Sequence, residues 1–160
     1  MDQFDNIYKD NYRLIYNVVR KMVSDKDDAS DLVQEVFIKL YQNLEKKVII
    51  EYPVSWLYKV TINKCIDYTK KHQRHEQIEL FTHIEEDDSA DANEKQAVIR
   101  LAMKRLKEEE RMLAILYSEG LSYKEIANIT GIRFSSVGKT LSRTLEKLGN
   151  ELKNLKYDLY

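Results

Sequence analysis

Apolar residues recur at spacings of three and four along the first part of the chain, which is the repeat of amphipathic α-helices. The first helical stripe consists of Phe4, Ile7, Tyr8, Tyr12, Ile15, Val18, Val19 and Met22. Residues 24–30 form a polar break that is rich in helix-capping residue types. The second stripe consists of Ala29, Leu32, Val33, Val36, Phe37, Leu40 and Leu44. This pattern predicts two long helices, each with one apolar face.

A third helix is predicted to start near Pro53, because proline is favoured in the first turn of a helix, and to end at about Arg74. Residues 45–53, EKKVIIEYP, precede it with a β-branched run and the only proline of the chain, and we expect them to form an ordered loop. The predicted core residues of this helix are Trp56, Leu57, Val60, Cys65 and Tyr68. The apolar residues predicted to point partly outward are Tyr58, Ile62 and Ile66.

Residues 73–94 are highly charged and have a poor apolar pattern, so we predict a flexible acidic linker there. Helical periodicity resumes at Ala97 and continues to about Leu148, after which Gly149 stands where a helix C-cap glycine would. The predicted fold is therefore all-α, with two small helical domains at residues 1–72 and 95–160.

The composition supports this fold and indicates an intracellular protein. Glycine and proline number only 4 and 1 in 160 residues, which argues against an all-β fold with many tight turns. No apolar run has the length that spans a membrane, and residues 1–10 lack the basic and apolar regions of a signal peptide. The single cysteine, Cys65, excludes an internal disulfide and fits a reducing compartment. We expect a cytoplasmic protein with no membrane insertion.

The charges are unevenly distributed along the chain, although the net charge of −1 gives no indication of a nucleic-acid partner. Residues 59–74 and 131–147 are basic, and an acidic run at residues 85–94 separates them. Charge runs usually form solvated surfaces, so this distribution permits binding to a polyanion without requiring it.

All four glycines lie in the C-terminal third of the chain, around a segment with the spacing of a helix-turn-helix. Ser122 and Glu125 have capping-box spacing, which marks the start of a helix. Gly131 stands where a short turn needs a residue that can adopt positive φ. The apolar stripe continues through Val137 and Leu141 on a following helix. In this motif the second helix lies in the major groove of DNA.

The polar side of that second helix carries the residues that we predict to contact DNA. Lys139 and Arg143 can reach guanine acceptors or phosphates, and serine hydroxyls can bond to either. Gly138 lies on the same side, where a missing side chain lets the backbone approach DNA closely. The full candidate set is Ser135, Ser136, Gly138, Lys139, Ser142 and Arg143.

Three motifs, taken in order, resemble those of bacterial sigma factors of the extracytoplasmic-function (ECF) class. DASDLVQEVFIKLYQNL at residues 28–44 is similar to the polymerase-binding segment of that family. WLYKVTINKCIDYTKK at residues 56–71 is similar to the helix that recognises the −10 promoter element. GLSYKEIANITGI at residues 120–132 is similar to the helix-turn-helix that recognises the −35 element. The resemblance covers most of the chain except the linker and the last ten residues.

The resemblance implies a protein that directs core RNA polymerase to promoters and has no catalytic residue, cofactor or metal of its own. It assigns Asp31, Gln34 and Glu35 to contacts with the clamp helices of the largest polymerase subunit. It assigns the third helix and the loop at residues 47–52 to the melted −10 element, which demands positive charge and planar or polar groups for bases. The candidates there are Lys59, Asn63, Lys70, Lys71 and Arg74. An anti-sigma factor is a further expected partner, because ECF members are commonly held inactive by one.

Two other functions remain compatible with parts of the sequence. A stand-alone helix-turn-helix regulator would join the same C-terminal motif to an N-terminal sensing domain, but it leaves the motif at residues 31–35 unexplained. A metal enzyme would use His72, His75 and His83, yet no carboxylate-flanked motif such as HExxH accompanies them. Promoter-specific transcription with purified core polymerase separates a sigma factor from a regulator.

Overall fold

The computed structural model of the protein describes residues 2–82 and 90–159, with the side chains of residues 2–72 and 94–156. Within these ranges every regular element is an α-helix, which confirms the all-α prediction. The helices of the described ranges are α1 (Gln3–Met22), α2 (Lys26–Glu45), α3 (Pro53–Thr82), α4 (Ala90–Lys104), α5 (Glu108–Ser118), α6 (Tyr123–Thr130) and α7 (Phe134–Leu159). They form two compact units, Met1–Lys71 and His72–Tyr160. Among these helices none offers an apolar stretch of membrane-spanning length.

The first unit is built on the apolar faces predicted for its first two helices. Asp2 caps α1 by accepting a hydrogen bond from the Phe4 amide at 2.7 Å, and Asp25 caps α2 by accepting one from the Asp28 amide at 2.9 Å. α1 and α2 then pack against each other. The buried residues confirm most of the two predicted stripes: Ile15, Val18, Val19, Met22, Ala29, Leu32, Val33, Val36, Phe37 and Leu40. The polar residues between them on α2 consequently face outward.

α3 begins at Pro53 as predicted, but it turns a different face to the core than we expected. The outward prediction for Tyr58, Ile62 and Ile66 is wrong, because all three are buried. Of the five predicted core residues, the buried ones are Leu57 and Cys65, and the half-buried ones are Trp56, Val60 and Tyr68.

The buried stripe of α3 was predicted wrongly because two of its residues are threonines, which a search for apolar spacing does not include. The buried face consists of two adjacent rows with a spacing of four, namely Leu57, Tyr58, Thr61, Ile62, Cys65, Ile66 and Thr69. Thr69 tolerates burial because its hydroxyl donates a hydrogen bond to the Cys65 carbonyl at 2.8 Å, which compensates that hydroxyl for its loss of water. The hydroxyl of Thr61 is buried without a hydrogen-bond partner among the residues that the structure describes.

Both ends of the predicted linker are helical, so the boundaries of the neighbouring helices were predicted wrongly. α3 continues to Thr82, well past the predicted end near Arg74, and α4 already starts at Ala90. Glutamate, glutamine, lysine and arginine favour helix by intrinsic propensity, so a segment without an apolar stripe can still be helical. The predicted flexible part, with the acidic residues 85–88, lies outside the described residues.

The second unit packs α4, α5 and α6 against α7. Its buried apolar residues are Ala102, Met103, Leu106, Leu113, Ala114, Ile115, Leu116, Ile126, Ile129, Val137, Leu141 and Leu155. The predicted helix end near Leu148 and the C-cap role of Gly149 are wrong, because α7 runs to Leu159. Buried Leu155 continues the apolar stripe beyond Gly149, and this packing carries the helix past the glycine.

Replacing Gly149 by alanine is expected to raise the free energy of unfolding of the second unit by about 1 kcal/mol, since glycine inside a helix is less favourable than alanine. An added Cβ would meet no heavy atom within 4 Å. Gly131→Ala is the matched comparison, because its Cβ is equally unobstructed but its φ of +79° is unfavourable for any other residue. It should lower the free energy of unfolding by about 1 kcal/mol.

Denaturant unfolding followed by far-UV circular dichroism measures both variants. The single tryptophan, Trp56, lies in the first unit, so its fluorescence reports a transition that neither change should move. A stabilised Gly131→Ala variant, or a destabilised Gly149→Ala variant, would contradict the assigned backbone conformations.

An ion pair joins α5 to α7 in the second unit. Lys147 Nζ lies 3.0 Å from Glu110 Oε1, and the same carboxylate oxygen accepts a hydrogen bond from the Lys107 amide at 2.8 Å. Burial alone would raise the pKa of Glu110, but these two bonds and the lysine charge outweigh it, so its pKa lies below the ordinary value. The pair therefore stabilises the fold above the unfolded-state pKa, and this stability is lost as the pH falls through the folded-state pKa.

Lys147→Met is expected to lower the free energy of unfolding by about 0.5 kcal/mol at neutral pH, a small value because the pair is partly exposed to solvent. Urea unfolding at pH 7 and pH 3 tests this prediction. The difference in free energy of unfolding between the variant and the native chain should be smaller at pH 3, because protonation of Glu110 removes the ion pair. Lys153→Met removes an exposed lysine from the same helix and serves as the control. A Lys147→Met difference of equal size at both pH values would show that the ion pair is not its cause.

Candidate nucleic-acid interface

The second unit contains the predicted helix-turn-helix. The Ser122 hydroxyl accepts a hydrogen bond from the Glu125 amide at 3.1 Å, and the Glu125 carboxylate accepts one from the Ser122 amide at 3.4 Å. α6 ends at Thr130, and its C-cap residue Gly131 adopts a left-handed conformation and donates its amide to the Ala127 carbonyl at 2.9 Å. α7 starts three residues later at Phe134. The capping box and the turn glycine are thus confirmed.

α7 separates an apolar inner side from a polar outer side. Val137 and Leu141 are buried, as predicted. Five of the six predicted DNA-contacting residues are exposed on the outer side: Ser135, Ser136, Lys139, Ser142 and Arg143. Arg133, which immediately precedes the helix, is also exposed. The structure therefore brings two cations and three hydroxyls to one side of the helix.

Gly138, the sixth predicted residue, has a different environment from the other five. It is half-buried, and a Cβ built on it would lie 3.3 Å from Cε2 of Tyr123, at the start of α6. An aromatic ring from the neighbouring helix thus occupies the space beside the glycine. Sequence reasoning missed Tyr123, which is 44% exposed, and Phe134, which is 62% exposed. The sequence did contain a sign that these two residues are exposed. Each is an aromatic residue at the start of its helix, and neither belongs to the apolar stripe of that helix.

The outer side of α2 presents the predicted polymerase-binding residues. Asp31, Gln34 and Glu35 are all exposed, and their spacings of three and four place them on one face of the helix. Ile38 continues this face and is 54% exposed. Glu35 Oε2 lies 3.5 Å from Lys64 Nζ on α3, so the α2 face borders the next helix.

The outer side of α3 presents the residues predicted for the −10 element. Lys59, Asn63, Lys70 and Lys71 are exposed, whereas the side chain of Arg74 lies outside the described residues. The loop before α3 and the first turn of α3 add exposed apolar and aromatic side chains: Val48, Ile49 and Tyr52 in the loop, and Val54 in the helix. Of these, Ile49 is 92% exposed. The first unit therefore combines positive charge with apolar groups on the side of α3 and its preceding loop.

The side chains that a metal enzyme or a cysteine nucleophile would use are described only in part. Burial raises the pKa of the Cys65 thiol to about 12, so the group is protonated at neutral pH and lacks the thiolate that nucleophilic chemistry uses. His72 is half-buried, and the side chains of His75 and His83 lie outside the described residues. Among the side chains that the structure describes, no three His, Cys, Asp or Glu residues come together as a metal site.

Comparison with known proteins identifies both units. The family model for sigma-70 region 2 matches residues 7–75, and the model for sigma-70 region 4 matches residues 96–148. The chain is 30% identical to the RNA polymerase sigma factor SigZ of Bacillus subtilis (strain 168), over 79% of this chain and 73% of SigZ. It is 27% identical to the ECF RNA polymerase sigma factor SigW of the same organism, over 94% of this chain and 87% of SigW.

A solved structure shares the fold. The sigma factor RpoE from Bartonella quintana, crystallised with the anti-sigma factor NepR, superposes with a TM-score of 0.70 over 96% of this chain and 98% of RpoE, at 19% identity. Sigma factors are transcription initiation factors, and the match to region 2 disfavours a stand-alone regulator with a sensing domain. The chain belongs to the sigma-70 family, in its ECF class, and functions in promoter-specific transcription initiation by RNA polymerase.

Proposed function

We propose that different parts of the chain make different contacts during promoter-specific initiation. Residues 1–72 bind core RNA polymerase and the −10 element, residues 95–160 recognise the −35 element, and residues 73–94 join the two. One observation carries this proposal: most residues of each predicted contact set are exposed, including Asp31, Gln34 and Glu35 on α2, Lys59 and Asn63 on α3, and Lys139 and Arg143 on α7. A side chain that is exposed to solvent can contact a partner.

The outer face of α2 contacts the polymerase. Asp31, Gln34 and Glu35 present carboxylate and amide oxygens, which suit a basic partner surface. Exposed Ile38 on the same face adds an apolar contact to the rim of charges. A surface that combines one apolar residue, one amide and two carboxylates is compatible with a non-obligate protein–protein interface, which is about as apolar as the rest of a protein surface.

α3 and its preceding loop bind the melted −10 strand. Lys59, Lys70, Lys71 and Arg74 supply charge for phosphates, and the Asn63 amide can bond to a base edge. Unstacked bases need apolar or planar surfaces, which exposed Ile49 and Tyr52 provide beside the helix. The −35 element is recognised by the outer side of α7, with Lys139 and Arg143 as its cations and Ser135, Ser136 and Ser142 as its hydroxyl groups.

The chain is a cytoplasmic binding protein without catalytic activity, cofactor or metal of its own. Its partners are core RNA polymerase, promoter DNA and an anti-sigma factor. The anti-sigma partner is suggested by RpoE, which was solved in such a complex. We expect the protein in the cytoplasm, because RNA polymerase and chromosomal DNA are there.

Reconstitution with purified core polymerase tests this function. Transcripts selected from a random promoter library should start at sites that share a −10 and a −35 element, and neither core polymerase nor the chain alone should produce them. Scrambling either element should remove the transcript. If the chain binds specific DNA but gives core polymerase no promoter specificity, the protein is a stand-alone regulator and the proposed sigma-factor function is wrong.

A further inference from the structure

Two exposed aromatic residues stand at the first turns of the two helices of the helix-turn-helix in the second unit. Phe134 is the first residue of α7 and Tyr123 is the first residue of α6, and they are 62% and 44% exposed. Gly138 lies one helical turn after Phe134, and the Tyr123 ring lies against it. We call these three residues the aromatic edge of the helix-turn-helix.

The aromatic edge lies outside the core and next to the basic outer side of α7. Val137 and Leu141 already fill the inner side of the helix. Arg133, Lys139 and Arg143 are exposed around the first turns of α7. A single exposed apolar side chain is ordinary on any protein. Here the Tyr123 ring lies against Gly138 and an exposed phenylalanine stands one turn earlier, at the helix end that contacts base edges in helix-turn-helix proteins. Two exposed rings at this end of the motif indicate a partner.

We propose that Phe134 is a specificity-determining residue that recognises thymine in the −35 element through the 5-methyl group of the base. A phenylalanine ring has no hydrogen-bonding group, and the major-groove edges of the bases offer one apolar group, the thymine methyl. The ring therefore gains most where a thymine methyl is placed against it. This proposal rests on the assignment of α7 to the −35 element.

The Tyr123 ring lies beside Gly138, one helical turn after Phe134. Because a side chain at residue 138 would come within 3.3 Å of the Tyr123 ring, the glycine leaves room for the ring to lie against α7. The two rings then present apolar surface on the same edge of the motif.

Replacing thymine by deoxyuridine, which removes only the methyl group, tests the proposal. The full chain is assembled with core polymerase, and each thymine of the selected −35 element, on either strand, is replaced in turn. With the native protein, at least one position should lose affinity by about fourfold, the effect of one buried methyl-sized group. With Phe134→Ala that loss should disappear, and with Phe134→Leu part of it should remain.

Two comparisons separate this contact from other effects. Lys139→Ala should weaken binding to thymine and deoxyuridine promoters by the same factor, since a cation does not detect the methyl group. If the native holoenzyme is indifferent to deoxyuridine everywhere, or if Phe134→Ala retains the full loss, the proposal is overturned while −35 recognition stands. If scrambling the −35 element has no effect either, the assignment of α7 itself is wrong.

Discussion

Glu35→Lys is expected to weaken binding of the chain to core RNA polymerase by about 30-fold or more, on the order of 2 kcal/mol. The substitution replaces an exposed carboxylate on the proposed polymerase-binding face of α2 with a cation, so a basic partner surface would be repelled where it was attracted. Competition between the variant and the native chain for a limiting amount of core polymerase measures the effect directly.

Two control variants distinguish loss of a polymerase contact from a change within the chain. Lys64→Met removes the ion pair to Glu35 but leaves the carboxylate in place, so it should bind polymerase nearly as well as the native chain. Asp10→Lys makes the same charge reversal at an exposed position of α1 and should have little effect. Unchanged competition by Glu35→Lys, or an equal loss in Asp10→Lys, would contradict the assigned face.

Arg143→Ala is expected to lower discrimination at a single −35 base pair by about 1–3 kcal/mol, if its guanidinium bonds in bidentate fashion to a guanine. Arg143 is exposed on the outer side of α7, one turn beyond Lys139, and its five N–H donors suit the two acceptors of a guanine edge. Holoenzyme binding to a set of promoters with every single-pair change in the −35 element measures the discrimination.

The distribution of the loss decides what Arg143 contacts. A loss confined to one base pair supports base recognition, and a uniform loss over all sequences identifies a phosphate contact instead. Lys153→Ala removes a cation farther along the same helix, about 15 Å away by the helical rise. It should leave both specificity and affinity nearly unchanged, so an equal effect of the two substitutions would point to net charge alone.

The features that were predicted correctly depend on local rules. The stripes of α1 and α2 followed from helical spacing bounded by polar capping residues, because a buried helix face must be apolar along its length. The turn at Gly131 followed because positive φ strongly favours glycine. The capping box of Ser122 and Glu125 is likewise a short-range pattern with a geometric requirement.

The features that were missed depend on contacts between elements or on helix formation without a stripe. Thr61 and Thr69 interrupted the apolar pattern of α3, so its inner face could not be assigned from periodicity. The helical ends of the predicted linker were missed because their charged residues favour helix by intrinsic propensity and form no apolar stripe. The contact between Tyr123 and Gly138 joins two helices, so it could not be predicted from the residue spacing within either helix.

The length of α7 has a thermodynamic consequence for promoter recognition. Its first turns carry the proposed DNA-binding residues. Its later turns are held by buried Leu155 and by an ion pair of 3.1 Å between Glu151 and Arg105, the residue that follows α4. The backbone entropy of the binding surface is therefore lost when the domain folds, before any DNA is present. Binding by such a preorganised helix should lack the large heat-capacity change that accompanies coupled folding.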